Sequence, residues 1–316
     1  MYKAAVRGIL WGAIGLLLLG ACRLTDHPVE QSKLGVIRSS DALLEVLDQP
    51  ENWSVETVVS ADWSVDRSGL INLDNPKAKA AKLVDGLEPI QVFFHALHHP
   101  KHGSFIVDTG VERALRDDPQ HAALSGWAAN AFGVERMKVR MPLADYLSAA
   151  PSPLRGVLLT HMHADHISGA PDVPHTVPFY GGRGEAHERN FLNVVVQPLT
   201  NRFLEGQLAL REMAFAPDKA NRFKGLIDLF GDRSLWAIYV PGHTIGSVAY
   251  LARTTRGPVL MTGDTCHTVW GWQNEVEPGS FTADREANRD SLARLKKLVA
   301  EHPSISVRLG HQSLPQ

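Results

Sequence analysis

The sequence predicts a layered α/β fold. Two features point there. Short apolar runs with strand character alternate with helical patterns from residue 50 onward in this chain of 316 residues, and four of those runs stop at a turn that carries histidine or aspartate. Strands mixed with helices throughout argue for packed layers of sheet and helix. No repeat or linker divides residues 50–316, so one large domain is expected there.

Taken in order, residues 23–50 are polar and mixed and read as a tether with a short helix over 41–47. Residues 53–65 alternate loosely, as one or two strands do. Residues 74–85 are charged and read as a surface connection. Residues 89–97 read as a strand, His98-His99-Pro100-Lys101-His102-Gly103 as a turn, and 104–107 as the returning strand, which ends in Asp108-Thr109-Gly110. Residues 112–149 are helix and loop. Two buried strands follow, over 157–159 and 177–180. Residues 184–231 hold mixed helical patterns and read as an insertion. Strands are expected over 235–240, 248–252 and 258–261, the last after the turn 254–257. Leu292, Leu295 and Val299 give the stripe of a final helix, and Ile305, Val307 and Leu309 alternate as a last strand.

Composition narrows the function. The chain is 44% hydrophobic and 21% charged, with a net charge of −2, an ordinary globular balance. Basic residues are scattered among acidic ones, so no nucleic-acid partner is expected. Two cysteines, Cys22 and Cys266, exclude a disulfide framework and a cysteine-rich zinc module. The start of the chain reads as a leader. Lys3 and Arg7 precede an apolar stretch over 9–19 that is short for a spanning helix. It ends in Leu19-Gly20-Ala21-Cys22, which resembles the bacterial lipobox. That resemblance implies a signal peptide over 1–21 and lipidation of Cys22, with a tether over 22–50 leading to the domain over 51–316. The mature chain would then be a lipoprotein anchored to a membrane of the bacterial cell envelope, on its periplasmic or outer-membrane side.

The segment richest in chemistry is Val157-Leu158-Leu159-Thr160-His161-Met162-His163-Ala164-Asp165-His166. An apolar strand runs into four metal-ligand types within six residues. Imidazole and carboxylate suit a borderline divalent metal such as zinc. His161 and His163, two apart, can face one ion, and Asp165 and His166 can turn toward a second. Three further strand ends have the same form: Pro241-Gly242-His243-Thr244, Thr262-Gly263-Asp264-Thr265 and Leu309-Gly310-His311.

Together, H-x-H-x-D-H, P-G-H-T, G-D and G-H resemble the metallo-β-lactamase superfamily. The resemblance runs in order through residues 50–316 and implies a four-layer αβ/βα sandwich with the site at one edge of the two sheets. It implies two divalent cations, zinc being the expected metal. His161, His163 and His243 would hold the first, and Asp165, His166 and His311 the second, with Asp264 bridging them. Two cations at such a site clamp the attacking and leaving oxygens and lower the pKa of water held between them to roughly 7. Asp165 or Asp264 could also move a proton. Asp108 is expected to orient a ligand or to cap a turn. Its Asp-Thr-Gly triplet has no second copy, which excludes an aspartic-protease dyad. His267, three residues after Asp264, is a further candidate catalytic residue. Quorum-quenching lactonases of the superfamily have tyrosine there, and this sequence departs from them. His98, His99 and His102 read as a pocket rim, an extra metal contact or a solvated turn, Cys266 as a small buried residue rather than a ligand, and Trp270 and Trp272 as an apolar wall or as packing.

Asp264 argues against a true β-lactamase, which has Cys or Ser near that place. The glyoxalase II branch carries a helical C-terminal domain, and only five residues follow His311. The expected activity is hydrolysis of a lactone or ester, a small-molecule substrate. The alternatives are a phosphotriester or β-lactam hydrolase, or a non-catalytic metal-binding lipoprotein.

Overall fold

The structure is a computed structural model that describes residues 23–150, 152–190 and 193–314. The leader and Cys22 lie outside the described residues. Among the described residues, fourteen strands form two sheets. They are β1 (Val29–Gln31), β2 (Val36–Ile37), β3 (Ser54–Asp66), β4 (Leu87–His99), β5 (Gly103–Val107), β6 (Lys138–Val139), β7 (Leu154–Leu158), β8 (Phe179–Gly181), β9 (Leu210–Glu212), β10 (Leu226–Asp228), β11 (Leu235–Tyr239), β12 (Val248–Ala252), β13 (Val259–Met261) and β14 (Ser306–Arg308). The larger sheet has the order β1-β9-β8-β7-β5-β4-β3-β6, the smaller β14-β13-β12-β11-β10-β2.

Alternation along each strand sends side chains to two different cores. Between the sheets, Leu97, Phe105, Val107 and Leu158 of the larger sheet meet Leu235, Tyr250 and Met261 of the smaller. On the outer face of the larger sheet, Phe94, Ile106, Val157 and Phe179 pack under helices and loops. On the outer face of the smaller, Trp236, Ile238, Leu251 and Leu260 pack against the helix Arg285–Glu301. The result is the helix–sheet–sheet–helix sandwich that the motif pattern implies.

That last helix starts at Asp284, whose side chain accepts from the amides of Glu286 and Ala287 at 3.0 and 2.9 Å, an N-cap of the usual kind. Its buried stripe is Leu292, Leu295 and Leu298. Val299, expected in the stripe, is half-buried, because a 3.6-residue period brings Leu298 to the core instead.

Two stretches differ from expectation. Residues 23–50, read as a tether, are built into the domain. β1 runs parallel to β9 and β2 antiparallel to β10, and Leu24, Leu43 and Leu47 are buried. Two- and three-residue edge strands are too short to show alternation. Residues 184–231, read as an insertion, supply β9 to one sheet and β10 to the other around the helix Asn193–Phe203. The strand at 89–97 is longer at both ends, and 53–65 is one strand with a bulge between Val59 and Ala61. Among the described residues no helix is long and apolar enough to cross a membrane.

Strand direction now places the chemistry. β5 and β7 run parallel in the larger sheet, and β11, β13 and β14 share one direction in the smaller. Their carboxyl ends deliver Asp108, the loop 159–166, His243, Asp264 and His311 to one edge of the sandwich, the position open α/β sheets generally use for ligands.

Candidate metal centre

Each ligand-bearing turn is held by a partner that also aims its ring. After β7 the chain turns through Thr160, whose amide donates to Asp108 Oδ1 and whose hydroxyl donates to Asp108 Oδ2, both at 2.8 Å. Asp108 sits at φ +59°, the left-handed region that Asp tolerates better than most residues. The same Oδ2 accepts from His166 Nδ1 at 2.8 Å, so one carboxylate fixes both the loop and the ring. Thr160 Oγ1, its proton committed to Asp108, accepts from His161 Nδ1 at 3.1 Å. His311 Nδ1 donates to the Gln91 carbonyl at 2.9 Å and His267 Nδ1 to the Leu70 carbonyl at 3.1 Å. His243 Nδ1 lies 3.1 Å from Thr282 Oγ1. An acceptor at Nδ1 sets the tautomer and leaves the Nε2 lone pair facing inward.

Five Nε2 atoms converge on one oxygen. Asp264 Oδ2 lies 3.0 Å from His267, 3.2 Å from His166 and from His311, 3.4 Å from His243 and 3.6 Å from His161. His311 Nε2 is also 3.2 Å from Asp165 Oδ2. His243 Nε2 and His163 Nδ1 stand 2.9 Å apart, close enough to share a ring proton or to face one cation together. His161 Nε2, His166 Nε2 and Asp264 Oδ1 are buried without a hydrogen-bond partner. Orphaned buried polar atoms are costly, and cations satisfy all three at once. The donor set therefore fits metal ions.

It fits them as two groups. His161, His163, His243 and Asp264 present one ligand atom each within 4.8 Å of one another, and so do Asp165, His166, Asp264 and His311. Asp264 belongs to both. All seven residues singled out from the sequence are brought together. The two halves differ in charge. Burial first, then repulsion by neighbouring rings, holds His161 and His243 well below the usual histidine range, and burial lowers His163. Burial opposes charge on His166 and His311 as well, but the carboxylates of Asp264 and its acidic neighbours outweigh it. His166 is lifted well above the usual range, and His311 to about 10. Burial also works against the carboxylate of Asp264, yet His311, His166 and His267 hold it well below the usual range. The cluster calls for positive charge at its second half. His163 and Asp165 are its half-exposed members, and so mark the side open to solvent.

His267 is buried, 1% exposed, and belongs to neither four-residue group. It is neither a surface histidine nor free to swing, because its two nitrogens are spanned between Leu70 and Asp264. Cys266 is buried and its thiol is pushed up to about 12 by burial, so it is inert packing. Trp272 packs in the helix-side core under Lys296, and Trp270 packs beside Leu70, Ile71 and Ile90. His99 and His102 stack with Trp53 and Phe230, and His102 Nε2 meets Asp232 Oδ2 at 2.7 Å. The turn that carries them lies at the amino end of β5, away from the centre; His98 is exposed and lines a separate concavity, while the rings of His99 and His102 are packed.

One residue was not legible in the sequence. Glu185, fully buried, accepts from the Met162 amide at 2.7 Å through Oε1, and from Thr244 Oγ1 and the Gly246 amide at 2.7 and 2.9 Å through Oε2. It ties the turn of His161 and His163 to the turn of His243. A lone glutamate in a glycine-rich turn carries no signal of that role.

Residues 97–311 match the family described as the Metallo-beta-lactamase superfamily. Among curated proteins, the chain is 28% identical over 162 residues to a hydroxyacylglutathione hydrolase of Hahella chejuensis, covering 51% of this chain and 50% of that protein. It is 26% identical over 233 residues to the N-acyl homoserine lactonase AttM of Rhizobium johnstonii, covering 70% of this chain and 82% of that one. Among solved structures, a quorum-quenching N-acyl homoserine lactone lactonase superposes with a TM-score of 0.58 at 18% identity, over 84% of this chain and 93% of its own.

Proposed function

The chain belongs to the metallo-beta-lactamase superfamily of hydrolases, and from that membership we propose that it opens a lactone or a related ester at a pair of divalent cations. The observation that carries the reading is Asp264, the carboxylate common to both groups of ligand atoms. His161, His163 and His243 would hold one ion and Asp165, His166 and His311 the other, with Asp264 within reach of both. Zinc suits this mixture of imidazole and carboxylate. When bound, such ions polarise the scissile carbonyl and make water acidic enough to attack at neutral pH.

The chain's own groups divide the remaining work. Asp165, the solvent-facing carboxylate, is placed to pass a proton to the departing alcohol. Asp264, 4% exposed, holds both halves of the centre in register. His267, held by the Leu70 carbonyl with Nε2 3.0 Å from Asp264 Oδ2, acts as a positioning residue that limits where that carboxylate can sit. Ile245 and Phe281, 49% and 45% exposed, flank the residues around His243 and offer apolar surface to an acyl chain. The relative that aligns over most of this chain is a lactonase, which favours a lactone over a phosphotriester or a β-lactam.

The test is acid release from a medium-chain acyl homoserine lactone by the zinc-loaded protein, beside an aryl ester, a phosphotriester and a β-lactam. Lactone turnover that exceeds the others and stops on chelation supports the reading. Turnover of the phosphotriester alone replaces the substrate class and leaves the centre standing. His267→Ala should lower kcat with both ions retained and KM little changed, and His267→Gln should recover part of the loss. The leader over 1–21 and lipidation of Cys22 complete the proposal by tethering the enzyme to the cell envelope. Fatty-acid labelling of the protein, lost in Cys22→Ser, is the corresponding test.

A further inference from the structure

At the end of the sandwich opposite the metal centre, the two sheets part around a concavity of about 370 Å³. Its walls are the start of β3, the turn between β12 and β13, and the exposed edge of β14. Two arginines border it, Arg256 from the turn and Arg308 from β14. Arg308 is half-buried, and its Nη1 donates to Ser306 Oγ at 2.7 Å and to the Val307 carbonyl at 3.1 Å. Among the described residues neither guanidinium forms an ion pair. The charge that acts on Arg308 is that of Arg256: burial first, and then Arg256, lower its pKa. His95, behind it on β4, is buried and held neutral, its pKa lowered to about 3 by burial first and then by Arg308. Half-buried arginines elsewhere face a carboxylate: Arg67 pairs with Glu88, Arg211 with Glu30 and Arg222 with Glu301.

A half-buried charge without a counter-charge is destabilising, and a second like charge beside it adds to the cost. Guanidinium groups bind oxyanions with two parallel hydrogen bonds, and the concavity is of a size that takes a small ligand. We propose that Arg308 and Arg256 form an anion site for a phosphate-type oxyanion, either free or as the headgroup of an anionic lipid. The hydroxyls of Ser306 and Thr255 lie in the same wall. No member of the metal centre lines it, so the inference is independent of the hydrolase reading.

Thermal unfolding of the zinc-loaded protein tests it, with chloride exchanged for inorganic phosphate at constant ionic strength. Wild type is compared with Arg308→Met and Arg256→Met. Phosphate bound at the metal centre raises Tm alike in all three, so the difference between them reads the arginine site alone. The expected result is a saturable rise of several degrees in wild type that is reduced or lost in both variants, while Arg308→Met in chloride is at least as stable as wild type because it lacks the unpaired charge. Arg256 is on an exposed turn, and its variant keeps the test open if Arg308→Met folds poorly. A second arm measures co-sedimentation of Cys22→Ser protein with phosphatidylglycerol vesicles against phosphatidylcholine vesicles. A phosphate response confined to wild type assigns a free anion. Capture by phosphatidylglycerol alone, lost with the same two substitutions, assigns a headgroup. Equal behaviour of all three proteins in both arms overturns the proposal.

Discussion

Gly310 and Asp264 approach so closely that a Cβ on the glycine would lie 2.1 Å from Asp264 Oδ1. The glycine before His311 is there to admit the Asp264 carboxylate, and its backbone angle needs no special freedom. Gly310→Ala must therefore push Asp264 away from the five imidazoles around it. A shift of this kind costs roughly 100-fold in rate. Lactone hydrolysis by Gly310→Ala should fall by that order while far-UV circular dichroism is unchanged. Wild-type activity in the variant would show that the position of Asp264 is not critical.

Glu185 joins two ligand-bearing turns through three hydrogen bonds. Glu185→Gln keeps the shape but turns an NH2 group toward donors. Outer partners of metal ligands are typically worth 10–100-fold in metal affinity, and a loss of about that size is expected for the ion held by His161, His163 and His243. Competition with a chromophoric chelator measures it. Unaltered affinity would make Glu185 a purely structural residue.

Asp108→Asn tests the other half. Asn tolerates the φ of +59°, so the backbone survives, but the charge behind His166 Nδ1 is gone. Zinc affinity should drop by about 10-fold or more at the second ion and much less at the first. An equal loss at both would point to collapse of the Thr160 turn instead.

Much of this centre was legible from sequence because its ligands follow apolar strands at short, fixed spacing. The order H-x-H-x-D-H, G-H, G-D, G-H is set by strand ends that the sheets then align. The residues that aim those ligands were harder to read. Gln91 and Leu70 contribute backbone carbonyls, which no side chain advertises, and Glu185 lies in a turn with no motif. The short strands β1, β2, β9 and β10 were missed for a different reason. Two or three residues cannot display a period of two, and their pairing is decided by distant partners such as Leu210 for Val29.

Glu112, 4% exposed, accepts from the amides of Ala123 and Leu124 at 2.7 and 3.4 Å. Burial nevertheless raises its pKa from 4.5 to about 7. Between those values the folded chain holds more protons at this site than the unfolded one. Its contribution to stability is full below the unfolded value and is lost as pH rises through the folded one. Glu112→Gln keeps the carbonyl acceptor and removes the titration. Relative to wild type, it should gain roughly 1–3 kcal/mol between about pH 5 and pH 8, since one unit of pKa shift corresponds to about 1.4 kcal/mol. Urea unfolding at the two pH values measures the change, and a constant difference would contradict it.

If two ions share Asp264, hydrolysis needs both. Zinc added in steps to the metal-stripped protein, with acid release from an acyl homoserine lactone followed in a pH-stat, tests this. The rate is expected to climb until two equivalents per chain are bound, and Asp264→Ala is expected neither to bind the second ion tightly nor to turn over. A rate that saturates at one equivalent, or that Asp264→Ala retains, would contradict it.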